Sequence, residues 1–478
     1  MSQKIKLGLI LTVISVFTIS FFQPKAPTFL AIEGNTKIAL VGGNLGSRMI
    51  NYDHFETELH LRYPSFNLMV RNMCDGGDTP GFRPHSARMN PWAFPGAEKF
   101  QSEFANPSQS EGHLDTHDQW MSRLKTDVVI GFFGYSESYE GKAAIAIYKA
   151  ELEAFIKHTL AQKYNGASAP GLAIVSPTAF EDLSAKIDLP NGTVQNANIT
   201  LYAQAMKEVC EKNNVLFINA FDASKKWYAE SAEDLTIDGF QLNDAGYKKL
   251  ALLLADQVFG KKSTVIESKR ADVYAAVAEK NWMWHTDFKI PNGVHVYGRR
   301  YNPFGQDNYP AEIEKIRQMT DNREAAIQAT IKGSPYDLAA ADAKTRKLDP
   351  VKTNFNPDQN GSLKYLYGDE ALNAIKVAPG YKIELFASEE EFPNLAKPVQ
   401  MTFDNKGRLW VVCMPSYPHY KPGDAKPNDK IIILEDTDKD GKADKETIFA
   451  EGLHVPVGME ITEFGVFVSQ GTNLVLLK

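Results

Sequence analysis

The densest run of chemistry-bearing side chains is Asp436-Thr-Asp-Lys-Asp-Gly-Lys-Ala-Asp444. Asp436, Asp438, Asp440 and Asp444 put carboxylates at positions 1, 3, 5 and 9, Gly441 at 6 permits a sharp turn, and Lys442 offers a backbone carbonyl, the pattern of a calcium loop. Position 12 is Thr447, where an EF-hand carries a bidentate Glu, and the flanks read as strands. Two readings stay open: a structural Ca2+ pinning the loop, or a solvated acidic turn. His113 and His117 have a spacing that would suit a metal on a helix, but Gly112–Asp118 reads as a solvated loop. His54, His60 and His85 have no motif support as bases. Cys74, Cys210 and Cys413 form no C-x-x-C and no C-x-x-C-H, so disulfides, zinc ribbons and covalent haem are unsupported.

Short blocks of Gly, Asn, Asp and Ser follow apolar runs, and those runs are the elements that must position them. From residue 36 to 260, Ile38–Val41, Phe66–Val70, Val128–Phe133, Leu172–Val175 and Val215–Ile218 are short and almost wholly apolar, as strands buried on both faces are. Helical spacing lies between them, as in Met49, Tyr52, Phe55 and Leu59, or Leu152, Phe155 and Leu160. The expected fold is a three-layer α/β domain with a parallel sheet. An insertion from Thr79 to Met121 lies on the strand-end side, where such sheets form sites.

Residues 261–375 lose the alternation and read as an appendage packed on this domain. They hold aromatic clusters such as Asn281-Trp-Met-Trp-His285, a helix over Ala311–Ile331, and a polar linker around Lys344–Lys364. From 376 to 478 the texture is all-β: Tyr381–Phe386, Val399–Phe403, Leu409–Val412, Lys430–Leu434, Gly465–Ser469 and Leu474–Leu477 read as strands. This resembles propeller blades of 40–50 residues, about two of them, where a closed propeller needs at least four. At the N-terminus Lys4 and Lys6 precede the apolar run Leu7–Phe22, so residues 1–22 read as an export signal, or as an uncleaved anchor that would be the only membrane contact. Lys plus Arg number 52 against 59 acids, a net charge of −7 that offers no surface for nucleic acid.

Four blocks make residues 36–260 resemble the SGNH, or GDSL-type, hydrolases: Gly42-Gly-Asn-Leu45, Asn72 to Thr79, Gly134-Tyr-Ser-Glu-Ser138 and Asp238-Gly-Phe-Gln-Leu-Asn-Asp-Ala-Gly-Tyr247. The resemblance implies a Ser nucleophile at the first block, an oxyanion hole completed by a Gly and an Asn, and an Asp and a His three residues apart in the last. Gly77 matches the oxyanion glycine and Asp238 the triad acid. Asn44 stands at the nucleophile, Ser136 at the Asn and Gln241 at the His. A glutamine amide cannot accept and return a proton near neutral pH, so the acyl-enzyme route is expected to be lost. Ser47, on the helix side of the turn, is a poor substitute nucleophile. Asn44, Asp78 and Ser136 could still bind a carbohydrate or acyl-bearing ligand, or the pocket could be structural.

Residues 377–478 resemble the opening of the propeller in exported planctomycete-type proteins described as membrane-bound dehydrogenase-like. The matching stretches are Ala378 to Phe386, Asp404 to Trp410 and Leu434 to Asp444. The resemblance implies a redox or carbohydrate-related setting but no haem or quinone site here; His454 and Arg408 beside strands are expected to be structural. The expected protein is exported, with a degenerate triad and a ligand-binding first domain. An active acetyl-esterase type hydrolase and a scaffold segment of a redox assembly are the alternatives.

Overall fold

The computed structural model describes residues 26–85, 88, 90–101, 112–262, 264–290, 292–298, 300–302, 305–351 and 366–478. The expected signal or anchor, residues 1–22, lies outside them. Among the described residues no helix is long and apolar enough to cross a membrane.

Five parallel strands form the first sheet: β1 (Lys37–Gly42), β2 (Met69–Asn72), β3 (Val128–Phe132), β4 (Gly171–Val175) and β5 (Leu216–Ile218), in the order β2-β1-β3-β4-β5. Alternate residues of each strand feed opposite cores, which is why the runs are apolar throughout. Ile38, Leu40, Val128, Ile130 and Ala173 face one core, and Ala39, Val41, Val129 and Ile174 the other. Helices α1 (Asn44–Ser47), α2 (His54–Arg62), α3 (His117–Leu124), α4 (Tyr135–Ser138), α5 (Ile145–Ala161), α6 (Thr193–Lys212), α7 (Ala220–Glu230) and α8 (Asp244–Phe259) complete a three-layer α/β domain. The second strand is displaced from the expected Phe66–Val70, because Asn67 turns with φ +49° and ends the preceding loop. The insertion is more deeply built in than its composition implied: Phe94, Leu114, Trp120 and Met121 join the core of the sheet.

The aromatic cluster Asn281–His285 is helical, within α9 (Arg270–Phe288). After α10 (Gly293–Val296), α11 (Gly305–Lys332) starts earlier than expected. Helix α9 covers the exposed edge of β2. Trp284 Nε1 donates to Asn72 O at 3.1 Å and Lys280 Nζ to Val70 O at 3.0 Å, satisfying carbonyls that an edge strand leaves open. Trp284 and Phe288 enter the core with Val41 and Val129, while Val273, Val277, Ile327 and Ile331 pack on Leu61 of α2.

Two antiparallel sheets follow. The first has four strands, β6 (Pro398–Phe403), β7 (Leu409–Cys413), β8 (Asp429–Glu435) and β9 (Lys445–Leu453); the second has β10 (Pro456–Thr462), β11 (Gly465–Gln470) and β12 (Asn473–Leu477). Strands β9 and β10 escaped the sequence reading because charged and small residues dilute their apolar pattern. The expected strand Tyr381–Phe386 corrects to an unladdered segment: Tyr381 is exposed, and only Phe386 O accepts a backbone bond, from Ala443 N at 2.8 Å. Its period-two pattern lacks a neighbouring strand to pair with.

Candidate functional site

The chain leaves β1 toward β2 on one side and returns to β3 on the other, so the ends of β1 and β3 form the crevice where α/β sheets bind ligands. The turns are set by close backbone packing. Gly42 has φ +116°, and a Cβ there would stand 2.2 Å from Phe132 O; Gly43 N donates to the same carbonyl at 2.8 Å. Asn44 then opens α1, and Gly134, at φ +97°, opens α4 after β3.

Asn44, Asp78, Ser136, Glu137 and Ser176 line this crevice, whose free volume is about 10 Å³. That admits roughly one water, against the ~300–1,000 Å³ of small-molecule sites. Asn44 is half-buried and Ser136 exposed on α4, while Asp78 is sealed beneath them. Its carboxylate faces Arg83 Nε at 3.6 Å and His117 Nε2 at 4.0 Å with neither oxygen hydrogen-bonded, and burial pushes it up to about 8 against the pull of Arg83. Gly77 takes φ +88° but is exposed and outside the lining.

Asp238 and Gln241 are also outside the lining. Asp238 Oδ1 accepts from Phe240 N at 3.0 Å and Gln241 N at 2.7 Å, so the triad-acid position shapes its own turn. Gln241 O accepts from Ile237 N at 2.9 Å and closes that turn. The Phe240 ring stacks on Tyr135, at an interplanar angle of 10°, beside Ser136. Beneath the loop, the buried Glu181 accepts from Leu235 N, Thr236 N (2.8 Å) and Thr236 Oγ1 (2.7 Å).

Glu137 was missed by the sequence reading. It is half-buried, accepts from Gly134 N at 3.0 Å, and the enclosure of its carboxyl pushes it up to about 8. The signal was there: a Glu three residues after a turn glycine is a helix-start pattern. Ser47 is buried, and its Oγ accepts from Lys289 Nζ at 2.8 Å; Lys289 also reaches Asp75 at 3.3 Å. His54 Nε2 pairs with Asp244 at 2.7 Å, away from the crevice. His85 is held down to about 4 by burial and Arg88. His113 and His117 share no helix: His113 packs on Tyr301, and His117 is buried with Nε2 3.0 Å from Met73 O, which corrects the expected solvated loop for His117.

The acidic loop joins β8 to β9. Asp436, Asp438 and Asp444 bring carboxylate oxygens within 4.8 Å of one another, while Asp440 stands outside this group. Oxygen donors suit a hard cation. In this conformation they accept from the loop itself: Asp436 from Gly441 N at 2.9 Å, and Asp444 from Thr437 N at 3.0 Å. Arg408 pairs with Asp404 at 2.7 Å, and His454 is mostly buried with Nε2 unbonded.

Residues 368–478 match a family described as a domain of unknown function, DUF7133. No curated protein matches the chain. Solved structures similar to about half of it include a catalytic mutant of Axe2, an acetylxylan esterase from Geobacillus stearothermophilus (13% identity, 49% of this chain and 100% of that one, TM-score 0.34). Others are LAE5, an alpha/beta hydrolase enzyme from the Lake Arreo metagenome (14%, 47% and 96%, TM-score 0.32), and a protein from Parabacteroides merdae described as a GDSL-like lipase (12%, 48% and 98%, TM-score 0.33). At these scores the likenesses add no weight to a reading of the site, which stands on the side chains themselves.

Proposed function

We propose that the α/β domain is a catalytically silent SGNH-type domain serving as a structural carrier in an exported protein. The single observation that carries this reading is the filled crevice: about 10 Å³ remains where a substrate would sit. Asn44 and Gln241 at the nucleophile and base positions agree with it. A carbohydrate or acyl-bearing ligand on Asn44, Asp78 and Ser136 has weaker support, because the Asp78 carboxylate is buried and turned toward Arg83. On this proposal the two antiparallel sheets are the first blades of a propeller, and Asp436, Asp438 and Asp444 would hold a structural calcium with help from the Lys442 carbonyl.

The contact that favours an active hydrolase is Ser47 with Lys289. Ser47, however, is buried and lies outside the crevice lining, so this contact faces no space for a substrate. The test is hydrolysis of an activated acetyl ester by the whole chain, alongside a fluorophosphonate label and retention on acetylated polysaccharide. The expected result is no turnover, no label and no retention. Turnover lost in Asp238→Ala or Ser47→Ala would establish the hydrolase; retention lost in Ser136→Trp would establish the ligand site.

A further inference from the structure

Glu56 and His60 are one helical turn apart on α2, so their side chains share a face. That face meets Glu324 of α11, and one ligand atom from each of the three lies within 4.8 Å of the other two. His60 is completely buried, yet neither ring nitrogen has a hydrogen-bond partner. Its Nε2 stands 3.5 Å from Glu56 Oε1, which is also buried and unbonded. A buried polar atom left unpartnered is costly, so the facing His60 Nε2 and Glu56 Oε1 call for a partner between them.

The surroundings have the form of an outer shell. Lys280 Nζ (2.7 Å) and Asn281 Nδ2 (3.2 Å) hold the other oxygen of Glu56, and Arg71 donates to Glu324 Oε1. Ligating carboxylates are typically oriented by such partners. Asn281 is itself fixed by Asp53, to which its Nδ2 donates at 2.6 Å.

We propose that Glu56, His60 and Glu324 form a binding site for a divalent transition metal of the zinc class, which clamps helix α11 to helix α2. One imidazole nitrogen and two carboxylate oxygens are a zinc-type donor set with room for water. Atoms sharing a tetrahedral zinc stand about 3.3 Å apart, so the Glu56–His60 spacing of 3.5 Å is already near that value and Glu324, within 4.8 Å of both, has at most about 1.5 Å to close. The clamp is structural: it ties the helical segment that guards β2 to the sheet domain.

The experiment uses the untagged full chain, stripped with a chelator and titrated with Zn2+ by calorimetry and with Co2+ by visible absorption. One equivalent should bind, a tetrahedral Co2+ band should appear, and excess Zn2+ at a hundredfold over Kd should raise Tm by about 5 °C. Glu324→Gln, on a partly exposed position, should weaken binding at least about tenfold while the metal-free Tm stays near that of the parent. His60→Gln should abolish the Co2+ band. Unchanged affinity in Glu324→Gln, or no binding by the folded parent chain, would overturn the assignment.

Discussion

Cutting the chain after Gly260, where the αβ alternation ends, should leave a domain that does not fold cooperatively. The segment beyond it supplies Val273, Val277, Trp284, Phe288 and Ile327 to the cores of the sheet domain, each at most 3% exposed. At about 2 kcal/mol per buried side chain their loss is on the order of 10 kcal/mol, comparable with the entire stability of a typical domain, about 5–15 kcal/mol. The cut also uncovers the carbonyls of Val70 and Asn72 on the β2 edge, and removes Lys280 from the buried Glu56. A single substitution probes the last of these: Lys280→Met leaves a buried carboxylate unpaired and should cost about 3–5 kcal/mol.

The assay compares residues 26–260 with residues 26–351 by urea denaturation, followed by circular dichroism and by dye binding to exposed apolar surface. The longer chain should unfold in one sharp transition. The shorter one should bind dye before denaturant is added and melt without a clear midpoint. If 26–260 unfolds cooperatively within about 0.5 M urea of the longer chain's midpoint, the edge-guard role of α9 is wrong, and the helical segment is a separable appendage.

Three further outcomes are expected. Glu181→Gln turns an amide against three donors from Leu235 and Thr236, and should destabilise the chain by about 2–4 kcal/mol in denaturant melts; no change would mean that the loop does not rest on this carboxylate. Burial, with Asp75, raises Asp78 from 3.8 to about 8 despite Arg83, Arg88 and Lys289. The fold then binds a proton that the unfolded chain releases, so this contribution is full below pH 3.8 and is lost as pH climbs toward 8. Asp78→Asn should flatten the fall in stability between pH 5 and 8.5, and a slope equal to the parent's would refute the burial argument. Millimolar Ca2+ should raise the melting temperature of the parent but not of Asp436→Asn or Asp444→Asn; equal shifts in all three would make the loop a solvated acidic turn.

The sheet was legible because its strands are buried on both faces and therefore written as unbroken apolar runs; Val128–Phe133 and Leu172–Val175 fall within a residue of β3 and β4. The role of α9 was not, because a helix buried on several sides has no polar stripe. Asn281 and His285 looked irregular among tryptophans, yet Lys280 and Asn281 are the residues that meet Glu56. The acidic loop between β8 and β9 was legible from its spacing, while the strand after it was not, since Lys445, Glu446 and Glu451 interrupt the apolar residues of β9. Which side chains share a crevice was only half legible: Asn44, Asp78 and Ser136 meet there, but the direction in which Asp78 points depends on Arg83, from an insertion with no recognisable pattern.

Glycine blocks and reactive side chains therefore carry different information in this chain. Gly42 is required because any Cβ would collide with the Phe132 carbonyl, and Gly134 because its φ is positive and a Cβ would stand 2.8 Å from Met206 Sδ. Both demands come from the packing of β1, β3 and α6, and both hold whether or not a substrate ever enters. Asp238 Oδ1 likewise serves its own turn through the amides of Phe240 and Gln241. Nothing in the backbone, by contrast, requires an amide at 44 or at 241. The turns that make the sequence look like a hydrolase thus report the sheet, and the two positions where proton transfer would occur report the chemistry, which is why the fold and the proposed silence of the site are compatible.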